Sequence, residues 1–133
     1  MNQTTISKGF LFAGLANIIG VLTLSKFFTN EVMMSTQPEV MGYFGLISII
    51  LWGMAYIAVR NKYAALPGLV AVFLIEKIIY VTVYINWFSS NSLSSVYEQD
   101  TMAGVFYTIY GANDFIFGVF FAAVLIQLMR KKA

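Results

Sequence analysis

Glu76, Lys77 and Asp114 are the ionisable residues that stand inside long apolar stretches of this chain. At the centre of a bilayer each such charge costs roughly 2.5–3.5 kcal/mol on insertion scales, so it has a partner or a task. Carboxyl groups held out of water can take up and release a proton or hold a cation. A lysine amine beside them could also serve acid/base or Schiff-base chemistry. Tyr80, Tyr107 and Tyr110 would add hydroxyl groups and ring faces, and ring faces attract organic cations. Asn17 and Asn113 would add amides. A purely structural reading uses the same residues. Lys77 and Asp114 could be an ion pair that fixes helix register, and Asn17 an interhelical hydrogen bond worth about 0.6–2 kcal/mol.

These residues need helices to position them. A membrane-crossing helix takes about 20 mostly apolar residues. Four stretches qualify: about Gly9 to Phe28, Val40 to Val59, Ala65 to Phe88, and Met102 to Met129. They are long and continuous, unlike the alternating segments of about ten residues in a membrane β-barrel. Pro38 precedes the second stretch and Pro67 falls in the first turn of the third, where its missing N–H costs little. Ser89 to Ser95 reads as a polar loop. Lys8 before the first stretch imitates a signal peptide, but no small-x-small cleavage pattern follows, so a retained helix is expected. The expected fold is an all-α, four-transmembrane-helix antiparallel bundle forming a single domain.

Glu76, Lys77 and Asp114 then lie near mid-depth, level with one another if the third and fourth helices are antiparallel neighbours. Asn17 lies near mid-depth too. Glu76, Tyr80, Val83 and Trp87 share one face of the third helix. Gly104, Tyr107, Gly111, Asp114 and Gly118 align on the fourth, with Tyr110 and Asn113 at the margin. Ala13, Asn17 and Gly20 align on the first, and Gly42, Gly45, Ser48 and Trp52 make a stripe on the second. Small residues let helices approach closely. Lys77 is about 100° round its helix from Glu76, so the two are not expected to point straight at one neighbour. Asn113 and Asp114 between Gly111 and Gly118 could mark a kink.

Composition agrees with a membrane protein. Of 133 residues, 59% are hydrophobic and 11% charged. Soluble domains carry roughly 25% charged residues. The absence of Cys and His from the sequence excludes disulfides, thiolate nucleophiles, His-ligated metals and a Ser-His-Asp triad. No cofactor is expected. The net charge of +2 is too small to point to nucleic acid.

Orientation follows from the basic residues. Lys8, Arg60, Lys62, Arg130, Lys131 and Lys132 fall on one side, against Lys26 with Glu31, Glu39, Glu98 and Asp100 on the other. Both termini are therefore expected in the cytoplasm, with the inner (plasma) membrane of a bacterium as the expected location. Tyr84 and Trp87, and Tyr56 and Tyr63, fit aromatic belts at the two interfaces.

In size and layout the chain resembles several small four-helix membrane families, including small multidrug-resistance exporters and DoxX-type proteins. The exporters carry their essential carboxylate in the first helix, where this chain has Asn17, so no residue role is carried over. Three functions stay open. The first is transport of a proton, cation or small amphipathic molecule, with a homo-oligomer completing the path. The second is a membrane-embedded lipid-binding protein or enzyme. The third is a structural subunit that pairs with a partner in a larger membrane complex.

Overall fold

A computed structural model describes residues 1–132. Helix α1 (Gln3–Leu24) starts where the Asn2 side chain accepts the Thr5 N–H at 2.8 Å, six residues earlier than expected. Asn at this position satisfies a backbone donor that the first turn leaves free. The helix stops at an abrupt corner. Lys26, Phe27 and Phe28 have φ of 50°, 54° and 65°. Left-handed backbone costs roughly 1–2 kcal/mol for each non-glycine residue. Local bonds hold it in place. Ser25 Oγ accepts the Phe28 N–H at 3.0 Å, and Asn30 Nδ2 donates to Leu24 O at 3.1 Å.

After the corner come two short helices, α2 (Glu31–Thr36) and α3 (Pro38–Met41), then α4 (Tyr43–Val59). The expectation of one helix over 40–59 is corrected here. Gly42 is extended (φ −71°, ψ −175°) and separates α3 from α4. Pro38 begins its own turn, and the Gly42 N–H closes it on Pro38 O at 3.1 Å. A short 3₁₀ turn (Tyr63–Ala65) leads to α5 (Pro67–Ser90), which opens on its proline as the sequence required. Ser89 to Ser95 is not a plain loop. Ser89 and Ser90 end α5, and Ser92 caps a short helix α6 (Leu93–Gln99). Helix α7 (Thr101–Lys132) runs without a break through Gly111 and Gly118. Among the described residues there is no strand.

Three helices, α1, α5 and α7, are long and apolar enough to cross a membrane. Helix α4 is apolar but has 17 residues. Helix α1 packs on α4, α5 on α7, and α1 on α7. The α1–α4 crossing depends on two glycines that the sequence stripes had not singled out. A Cβ on Gly14 would lie 2.5 Å from Gly53 O, and one on Gly53 would lie 2.7 Å from Gly14 O. Backbones this close gain van der Waals contact that any side chain would block.

Both termini and the α4–α5 turn lie at one end of the molecule. The Met1 ammonium donates to Gln127 Oε1 at 2.9 Å, and Ser7 Oγ donates to Asn61 Oδ1 at 2.8 Å. At this terminal end Phe10, Tyr56, Phe73 and Phe121 form a fully buried aromatic layer. Tyr63, expected in an interfacial belt, is buried and stacks on Phe10. The far end is capped by α2, α3 and α6. Met33, Met41, Trp87, Val96 and Tyr107 pack there. Trp87 is another correction to the belt, since it is buried with its ring 4.7 Å from that of Tyr107. The outward faces of all four longer helices are apolar, as at Phe12, Phe44, Ile78 and Phe115. In water such faces would aggregate; against lipid they cost little.

Candidate functional site

Between the two apolar layers lies a polar one. Helix α5 turns Glu76 and Lys77 inward and α7 turns Asp114 to meet them; the three are 5%, 1% and 6% exposed. Lys77 Nζ donates to Asp114 Oδ1 at 2.6 Å and stands 3.6 Å from Glu76 Oε1. As expected, Glu76 and Lys77 do not point at one neighbour: Lys77 turns to Asp114 on α7, while Glu76 turns toward α4. Gly118 packs against this pair on the α7 side: a Cβ there would lie 3.4 Å from Lys77 Cβ.

Glu76 has a second partner that sequence reasoning placed elsewhere. Tyr56, expected at the interface, is fully buried, and its hydroxyl donates a short hydrogen bond to Glu76 Oε2. The Lys77 ammonium also lies 5.2 Å from the centre of the Tyr56 ring, in cation–π range. The signal was available in the spacing. Leu46, Gly53 and Tyr56 lie at i, i+7 and i+10 on one face of α4, and that face is the buried one. The Gly42–Trp52 stripe had drawn attention to the wrong side. The cluster thus holds two carboxyl groups, one ammonium and one phenol, in a setting where charge interactions are barely screened.

Beside the cluster is a cavity of about 70 Å³. Asn17, Tyr80, Tyr110 and Asn113 border it together with Glu76, Lys77 and Asp114. Its other walls are apolar, among them Val21, Leu24, Met41 and Phe106. By the space one water needs, a cavity of this size takes a few waters or a small chemical group. Asn17 is anchored, with Nδ2 donating to Ile49 O at 3.2 Å. The Tyr110 hydroxyl donates to Gln37 Oε1 at 3.0 Å. Tyr107 does not border the cavity. Its hydroxyl donates to Met33 O at 2.9 Å and pins α2 over the far end. Seven of the eight candidate residues are thus gathered round one space, and Tyr107 stands apart.

Outside the long apolar helices' interior, Asp100 organises the far-end corner. It accepts hydrogen bonds from Lys26 Nζ at 2.9 Å, Asn30 Nδ2 at 2.9 Å and the Ala103 N–H at 2.8 Å. The Lys26 hydrogen bond, followed by those of Ala103 and Asn30, pulls its carboxyl down to about 2. The same bonds tie the strained turn to the start of α7. The chain matches no family model, no curated protein and no solved structure.

Proposed function

We propose that this chain is an integral membrane protein that crosses the bilayer four times and moves a proton or small cation through its buried charge cluster. Helix α4 alone spans about 26 Å at 1.5 Å per residue, short of a core of about 30 Å. The turn of α3 beyond Gly42 makes up the difference. The excess of basic residues at the terminal end supports a cytoplasmic position for it, and the inner membrane of a bacterium is the proposed location.

One observation carries the functional reading. Two buried carboxyl groups share one buried ammonium beside a cavity. With all three groups ionised the cluster has a net negative charge, and a low-dielectric site favours the neutral state. One added proton, or one monovalent cation, supplies it. The aromatic layer of the terminal end adjoins the cluster through Tyr56. Motion of that layer would let the charge pass, and a homo-oligomer would complete the path.

The test is flux into liposomes loaded with a pH-sensitive dye, under an imposed gradient. Glu76→Gln and Asp114→Asn are expected to abolish it. Undiminished flux in both variants overturns the proposal. A second reading, a binding protein for an amphipathic molecule of the bilayer, is favoured by the cavity's exposed rim at Ala16 and Ile109.

A further inference from the structure

The cavity is open at the side. Val21 and Met41, both buried, line it toward the far end. Its exposed border residues are Ala16 on α1 and Ile109 on α7. Gly20 widens this seam, since a Cβ there would meet no atom within 4 Å. In a membrane such an opening faces acyl chains.

The polar groups of the cavity fall into two sets. The ionised ones are already engaged: Lys77 with Asp114, Glu76 with Tyr56. Tyr110 is bonded to Gln37. Two neutral groups have no hydrogen-bond partner among the described residues: Asn17 Oδ1 and the Tyr80 hydroxyl. Asn17 is 5% exposed and lines the cavity, so a ligand there meets its free acceptor. A molecule that fits must accept a hydrogen bond from Tyr80 and donate one to Asn17. A hydroxyl group does both. A carboxylate head would add negative charge beside Glu76 and Asp114, and an ammonium head cannot accept the Tyr80 hydrogen bond. The space, about 70 Å³, takes a few heavy atoms and excludes a phospholipid headgroup. The rest of the molecule must lie along the apolar seam between α1 and α7.

We propose that the cavity binds the hydroxyl head of a single-chain, lipid-soluble alcohol that enters sideways from the bilayer, between α1 and α7. This rests on the second reading, that the cavity binds an amphipathic molecule of the bilayer, and it supplies the class of that molecule.

The experiment uses the full chain in nanodiscs with a long-chain alcohol carrying a photoreactive diazirine close to its hydroxyl. Peptide mapping is expected to place the label at Ala16, Gly20, Ile109 or Asn113. Plain hexadecanol should compete at least about tenfold better than hexadecanoic acid or hexadecylamine, the difference one lost hydrogen bond makes. Gly20→Leu should reduce cavity labelling by a similar factor, and Tyr80→Phe should weaken it without changing the fold. Even labelling over Phe12, Ile78 and Phe115, which face outward, means annular contact only and overturns the proposal. So does a preference for the acid or the amine. Labelling in the cavity together with unchanged flux in Glu76→Gln would retain this site and remove the transport reading; lost flux without cavity labelling would do the reverse.

Discussion

Removing the buried ammonium should cost more than removing the carboxylate it is bonded to. Lys77 Nζ has Asp114 at 2.6 Å and Glu76 at 3.6 Å. In Asp114→Asn the ammonium loses its best acceptor but can slide onto Glu76. The expected loss is about 1.5–3 kcal/mol, the range for a hydrogen bond to a charged group. In Lys77→Met both carboxyl groups lose their cation at once, and Met fills most of the lysine volume. Breaking a buried pair in this way costs roughly 3–5 kcal/mol. The double variant removes the ammonium and one carboxylate together. It leaves Glu76 with its Tyr56 bond. Replacing a whole buried pair is often close to neutral, so the double variant should be more stable than Lys77→Met alone. The assay is reversible unfolding by sodium dodecyl sulfate in mixed micelles, followed by the fluorescence of Trp52 and Trp87. Additive losses, or an Asp114→Asn variant at least as unstable as Lys77→Met, would refute the shared-ammonium geometry.

Tyr56→Phe keeps the ring in the aromatic layer and removes only the donor to Glu76. A loss of about 1–3 kcal/mol is expected in the same unfolding assay, because an acceptor is left unpaired. Gly14→Val should separate α1 from α4, since its Cβ would sit 2.5 Å from Gly53 O; a loss of at least about 1–3 kcal/mol is expected. Gly68→Ala, where a Cβ meets nothing within 4 Å, should be almost silent by the same measurement. The far-end corner should respond to acid. Asp100 has its carboxyl held down at about 2 by Lys26, Ala103 and Asn30, below the usual carboxylate range. A depressed acid contributes stability that is present above its unfolded value and fades as pH falls toward its folded one. Amide exchange at residues 25–30 should therefore accelerate as pH drops from about 4 to about 2, after correction for intrinsic rates. Lys26→Met should move the onset to higher pH.

The long helices were legible in the sequence because lipid demands long apolar runs and little else does. Pro67 marked the start of α5 for a local reason, and it held. The break at Gly42 was harder to see. A glycine between Met41 and Tyr43 is equally at home inside an apolar helix, and only the turn begun at Pro38 decides the matter. The corner at Lys26–Phe28 carries no glycine or asparagine to announce a left-handed turn; its support comes from Asp100, distant in sequence. For the site, the ionisable types alone identified Glu76, Lys77 and Asp114. The 100° between Glu76 and Lys77 fits their separate partners, Tyr56 on α4 and Asp114 on α7, but the angle alone could not name Tyr56. Tyr56 was misplaced because a tyrosine near a helix end suits an interface and a core equally well. The choice depended on which face of α4 met α1, and that was set by Gly14 and Gly53. Tyr107 shared a face with Asp114, yet it sits two turns nearer the start of α7, where α2 covers it.

The contact on which the functional reading depends can be measured directly. Solid-state NMR of the protein in bilayers, with ¹⁵N at lysine Nζ and ¹³C at aspartate carboxyl carbons, reports dipolar coupling across an ion pair. Two such pairs are expected, Lys77–Asp114 and Lys26–Asp100. The expected result is a strong coupling that disappears in Asp114→Asn while the Lys26–Asp100 signal remains, with the Lys77 ammonium protected from water exchange. A Lys77 signal with no carboxyl coupling and rapid exchange would place the ammonium at an aqueous edge, and the mid-membrane cluster would not exist.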